Sequence, residues 1–398
     1  MNRREFLLLV GSAALASPAG VLAQKLDRGE GFLDPHPLPA KFITPKKQIE
    51  ILSPHYTWYT EKRWHSGPEF AFTEPLRGHY SSGNPDVVTA QNAEKESYGV
   101  GVDVVSWWGP GDLSYNLFKQ GYLRAKNFEN RPFCFLYEIF RRLPRTGHEV
   151  FDFKDPKNVR GFIEDIEYLE KNYFWYPNYY RINGKPVLYN WWNGLKNFDA
   201  VSQQIKDRVY LIGSIDILWP PNELETEKIH ALSWFDAISQ YGISPIYVAK
   251  EYGCISDEFI QKFTKTVLYW ENIIKNYCPN LELILPIQYA YQDHRGWVDK
   301  KDGKNRTLNH DPIQSEKFTK VVRLLAEKLD CVKRTMLVSY NEHWEGHGAE
   351  PSFQYGDMWL ALINRFFKKN EPFYMMSDLL QDPNRSRMYK NQDSWRIK

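Results

Sequence analysis

The sequence predicts a single-domain α/β protein of the (β/α)8 TIM-type barrel class. Short apolar or β-branched runs recur along the chain, segments with apolar residues three and four apart lie between them, and polar and aromatic residues gather where the runs stop. The runs predicted as strands are 51–59, 102–107, 133–138, 187–189, 209–215, 235–239, 283–288 and 335–341. Helices are predicted at 85–98, 113–127, 158–173, 255–277 and 313–328. Strand alternating with helix argues for a parallel sheet, and eight such units argue for a closed barrel over a doubly wound open sheet. The 398-residue length suits one large domain, because barrels of this class commonly reach about 250 residues or more with insertions.

Composition narrows the function. A net charge of +2 provides no field for gathering nucleic acid, and 42% apolar with 25% charged residues is ordinary for a globular chain. The aromatic share stands out at 16%. A core absorbs aromatic residues, but their faces also serve as platforms for sugar rings.

The first 23 residues read as an export signal. Arg3 and Arg4 precede an apolar run rich in Gly, Ala and Ser, too short for a membrane span, and Val21-Leu22-Ala23 forms a small-residue cleavage site. Arg3-Arg4-Glu5-Phe6-Leu7 resembles the twin-arginine signal, so a periplasmic or extracellular destination is expected, with the mature chain starting near Gln24. Residues 24–48 are rich in Pro and charge and read as a linker or surface arm, and 49–398 as the barrel. Cys134, Cys254, Cys278 and Cys331 have neither zinc-site spacing nor a dense disulfide framework. A Cys254–Cys278 pairing stays open.

In a barrel of this class the active site forms at the C-terminal strand ends. The predicted ends supply Tyr56, Trp58, Trp107, Trp108, Glu138, Tyr189, Tyr241 and the stretch VSYNEHWEGHGAEPS, which holds Asn341, Glu342, His343, Trp344 and Glu345. Indoles, phenols, amides and carboxylates around one mouth suit a neutral, hydroxyl-rich ligand. Trp107-Trp108-Gly109-Pro110-Gly111 lacks the Lys and the spacing of a phosphate-binding loop.

Glycoside hydrolysis needs two carboxyl groups at one bond, one protonated to release the departing oxygen and one ionised. Glu342 and Glu345 are three apart, and a helical turn would put them on one side, where like charge separates their pKa values. Alternatives stay open. An ExxE pair also occurs on solvated helix faces; His343 and His347 with Glu345 between them have the outline of a metal site; and a non-catalytic sugar-binding barrel would use the same residue types. Gly346 interrupts any helix that would align the two imidazoles, so neither metal nor other cofactor is expected. Glu138 is either a site carboxylate or a structural partner of Arg141 or Arg142.

Four segments together carry a family resemblance. The NEHWEG segment (341–346) resembles the NEWHEG segment of glycoside hydrolase family 99, the endo-acting α-mannosidases and α-mannanases, and of the related WbsX-like group. HYTWY (55–59), GVGVDVVSWWGPG (99–111) and FLYE (135–138) resemble that family's first, second and third strand ends in order and spacing. The resemblance implies a metal-free barrel acting on α-linked oligo- or polysaccharides, cleaving internal α-mannosidic bonds with retention through a 1,2-anhydro sugar. It implies Glu342 as base on the 2-hydroxyl, Glu345 as acid, Glu138 as a carboxylate holding substrate hydroxyls, and Tyr56, Trp107 and Tyr241 as cleft aromatics. Trp108 matches the mannan-directed type. Four positions depart from the family: His343-Trp344 reverses its Trp-His order, His55 replaces an aromatic residue, and Thr57 replaces Pro.

Overall fold

The computed structural model describes residues 47–64, 73–145, 150–191, 194–218, 220–243, 254–292, 307–308 and 311–368. The export signal and nearly all of the 24–48 arm lie outside these residues. Eight parallel strands form the centre: β1 (Glu50–His55), β2 (Val102–Trp107), β3 (Phe133–Tyr137), β4 (Lys185–Asn190), β5 (Tyr210–Ser214), β6 (Ala237–Ser239), β7 (Glu282–Ile287) and β8 (Arg334–Leu337). Each pairs with the next in sequence, and Ile51 opposite Thr335 joins β1 to β8 and closes the barrel. The open-sheet alternative is thereby excluded.

Among the described residues one α-helix follows each strand: α1 (Pro85–Tyr98), α2 (Leu113–Gln120), α3 (Pro156–Asn172), α4 (Asp199–Ile205), α5 (Thr226–Leu232), α6 (Asp257–Tyr277), α7 (Pro312–Lys328) and α8 (Met358–Phe367). Local chemistry sets their ends. Asn84, Asp112, Asp155, Ser256 and Asp311 accept first-turn N–H groups, each such cap contributing about 1 kcal/mol. Gly99 ends α1 at φ 89, a left-handed conformation that glycine adopts without steric cost.

Packing follows the periodicity read from the sequence. In α6, Phe259, Phe263, Val267, Trp270 and Ile274 are buried at spacings of three and four, and Phe263 meets Phe318 of α7 edge-on at 5.1 Å. Each such burial contributes roughly 1.5–3 kcal/mol. The strands are buried on both faces, as a helix-jacketed barrel requires.

Three predicted elements differ from the observed ones. The 51–59 strand stops at His55, where the chain bends into the barrel mouth. The 113–127 helix stops at Gln120; the next residue, Gly121, runs so close to the neighbouring backbone that a Cβ there would sit 2.0 Å from the Ser82 carbonyl oxygen. The 335–341 strand ends at Leu337; Val338 still donates to Ile287 O at 2.8 Å before the loop begins. Helices α4, α5 and α8 add to the predicted set. All four cysteines are free thiols, so Cys254 and Cys278 are unpaired. Among the described residues no helix is long and apolar enough to cross a membrane.

Candidate active site

The site is organised where β1 and β8 run out of ladder. Asn341 accepts the Tyr56 N–H at 2.7 Å and donates to the Tyr56 carbonyl at 2.9 Å, so a side chain continues the pairing that the backbone has dropped. Tyr59 Oη donates to Asn341 O at 2.8 Å and accepts from His343 N at 2.9 Å. The predicted ligand-binding Asn341 is thus fully buried in the seam between the two strands, not on the mouth's surface.

Beyond the seam the chain makes a turn, not a helix. Gly346 N donates to His343 O at 3.3 Å with Gly346 at φ 64, and His347 N donates to Glu342 O at 3.2 Å. Ser339 Oγ accepts the Glu342 N–H at 3.0 Å. This turn points Glu342, Trp344 and Glu345 into one cavity of about 340 Å³ at the strand ends. His343 goes the other way. Its Nδ1 meets Thr73 Oγ1 at 2.7 Å and its Nε2 meets Glu350 at 2.9 Å, so the predicted ligand contact at His343 is replaced by a buried structural one. The reversed His-Trp order explains the division: the indole takes the cavity side and the imidazole the buried side.

The cavity has an aromatic wall and an acidic floor. Tyr56 stacks on Trp58 with centroids 4.2 Å apart, Trp58 on Trp344 at 5.1 Å, and the Arg63 guanidinium lies 5.1 Å from the Trp344 ring. Trp108, Trp191 and Tyr241 line the same space, and the Tyr56 and Tyr241 hydroxyls are in hydrogen-bond contact. Glu138 joins Glu342 and Glu345 as the third predicted carboxylate on the surface.

Glu138 is held by a relay from β2. Trp108 Nε1 donates to Ser106 Oγ at 2.9 Å, and Ser106 donates to Glu138 at 2.8 Å. Burial pushes the Glu138 carboxyl up from its ordinary 4.5 to about 8; the Ser106 bond opposes this, while the charges of Glu342 and Asp112 reinforce it. At neutral pH Glu138 is therefore a hydrogen-bond donor beside an acidic neighbour. Its predicted partner Arg142 is engaged elsewhere, with Nε 3.0 Å from Asp165; the Arg141 side chain lies outside the described residues.

Two predicted cleft aromatics lie elsewhere. Trp107 points out of the barrel and stacks on Tyr137 at 5.8 Å, under the Arg142 guanidinium at 5.3 Å. Alternation along β2 requires this, since Ser106 already takes the inward face. Tyr189 is fully buried at the end of β4, off the cavity surface. Gln240 and Gln288, also at strand ends, accept backbone N–H groups from Ile217 and Ile243 and so shape loops. Trp192 and Trp219 lie outside the described residues.

Sequence reasoning did not find Arg63, Asp112 and Leu113 on the cavity, or Glu350 beneath it. Asp112 carried a signal as the cap of α2. Glu350 gathers Arg77 at 2.5 Å, Tyr80 at 2.6 Å and Gln91 at 3.0 Å besides His343. Burial would raise its pKa, but His343, Arg77 and Tyr80 outweigh that and hold it at about 2, so an anion anchors the loop from below. His347 Nε2 lies 3.1 Å from Glu345 instead. The two imidazoles thus serve different carboxylates.

These features define a (β/α)8 barrel whose mouth presents carboxylates and aromatic faces. The chain is similar to the structure of an endo-α-mannosidase of glycoside hydrolase family 99 from Bacteroides thetaiotaomicron, at 18% identity and TM-score 0.54 over 88% of this chain and 98% of that one. The same description, in complex with bis-tris-propane, belongs to a structure matched at 18% identity and TM-score 0.52, over 77% of this chain and 88% of that one. A protein described as glycoside hydrolase-like matches at 17% identity and TM-score 0.57, over 85% of this chain and 98% of that one. At these identities the likeness establishes the shared barrel. No protein-family model and no curated protein matches the chain.

Proposed function

We propose that the chain is a retaining, endo-acting α-glycosidase that hydrolyses internal α-mannosidic bonds through a 1,2-anhydro sugar. The observation that carries this is the convergence of Glu342, Glu345 and Glu138 on one aromatic-walled cavity. Glu342 takes the proton of the 2-hydroxyl as O2 attacks C1, and Glu345 protonates the departing glycosidic oxygen. Water then opens the anhydro ring at C1, giving its proton to Glu345, while Glu342 returns a proton to O2. Both carboxyls end as they began. Glu138, protonated at neutral pH, donates to a substrate hydroxyl; being neutral, it also leaves the negative charge to Glu342, where the base requires it. The stacked Tyr56, Trp58 and Trp344 supply apolar faces for sugar rings. The resemblance of Arg3-Arg4-Glu5-Phe6-Leu7 to a twin-arginine signal supports a periplasmic or extracellular setting for this activity, and fractionation of the full chain would test it.

Mature protein from Gln24 incubated with a panel of α-linked oligosaccharides, analysed by mass spectrometry and proton NMR, tests the reading. Cleavage of an internal α-mannosyl bond with an α-configured first product is expected. Retained sugar binding without cleavage of any glycan would instead assign a non-hydrolytic carbohydrate-binding or glycan-assembly barrel.

A further inference from the structure

The mechanism above needs Glu345 to present its proton toward the departing oxygen, and the same loop supplies a group that aims it. His347 is buried, its Nε2 3.1 Å from Glu345 Oε2 and its Nδ1 3.3 Å from Ser339 Oγ. Its ring stacks on Tyr291 at 5.9 Å and meets Tyr241 edge-on at 6.1 Å, so the imidazole has little room to rotate. Ser339 Oγ accepts the Glu342 N–H at 3.0 Å, and its own O–H lies within reach of His347 Nδ1 as a donor. A neutral imidazole that accepts at Nδ1 carries its proton on Nε2.

We propose that His347 is a positioning residue for Glu345: its Nε2–H donates to Oε2, so the acidic proton rides on Oε1. One hydrogen-bonded chain then runs from the Glu342 backbone through Ser339 and His347 to Glu345, tying the geometry of the two carboxyls together.

This role rests on Glu345 being the acid, as proposed above, and the test separates the two. His347→Ala, His347→Gln and Glu345→Gln are assayed on an α-manno-oligosaccharide and on an α-mannobiosyl fluoride, whose leaving group needs no proton. His347→Ala is expected to lose about 10- to 100-fold in kcat on the oligosaccharide, with KM and the fluoride rate within about threefold of the parent. His347→Gln, which keeps an N–H near the Nε2 position, should recover most of kcat. Equal losses on both substrates would reduce His347 to packing, and unchanged turnover would remove it from the mechanism. If Glu345→Gln is inactive on the oligosaccharide while His347→Ala is unimpaired, only the His347 assignment falls; if Glu345→Gln turns over fully, both fall. Nitrogen-15 NMR of the intact protein reads the same claim without substrate: a proton on Nε2 of His347 agrees with it, and one on Nδ1 overturns it.

Discussion

Glu138 shows how a single buried residue ties stability to the site. Its carboxyl is pushed from 4.5 up to about 8, so between those pH values the folded protein keeps a proton that the unfolded chain has released. Stability therefore falls as pH rises through that window. Glu138→Gln removes the penalty while preserving the acceptor for Ser106. Calorimetry should find its Tm raised at pH 8 by about 2 °C or more, and little changed at pH 5; an equal shift at both would mean that Glu138 is ionised throughout. At this scale the sequence was only partly legible. Of the residues taken from strand ends, Glu138, Glu342, Glu345, Trp344 and Tyr241 lie together on the cavity. They could not separate Trp108 from Trp107, because which of two adjacent indoles faces inward depends on where the pleat ends. His343 and Asn341 were misplaced for a related reason: their partners, Glu350 and the Tyr56 backbone, meet them only once the barrel closes.

Elements were easier to read than residues. All eight strands lie within or overlap their predicted runs, since strands jacketed by helices are apolar on both faces and stand out as continuous runs. Boundaries were less legible where tertiary contact overrides pattern. Gly121 is the clearest case: nothing in LSYNLFKQGYLRAKN interrupts helical spacing strongly, yet α2 ends there, where the backbone passes close to the Ser82 carbonyl. Gly121→Ala should destabilise the fold by about 1–3 kcal/mol in urea unfolding, since φ −99 suits alanine and the cost is purely steric. A loss under about 0.5 kcal/mol would show that the approach relaxes freely. The short helices α4 and α5 escaped notice because seven residues hold too few turns to display a periodic face.

For the whole molecule, closure between β1 and β8 does two jobs at once. It completes the barrel, and through Asn341 and the turn that follows it brings Glu342 and Glu345 into one cavity with Glu138, which arrives from the end of β3. The fold class was legible from alternation alone; the convergence was legible only as an expectation of where barrels place their sites. The central claim is that this convergence performs catalysis and not just sugar binding. The most direct measurement is kcat on an α-manno-oligosaccharide for the parent and Glu342→Gln, with affinity for the same sugar measured by calorimetry. Loss of about a thousandfold or more in kcat with affinity kept within tenfold is predicted. Undiminished turnover in Glu342→Gln, or sugar bound by the parent without turnover, would contradict it.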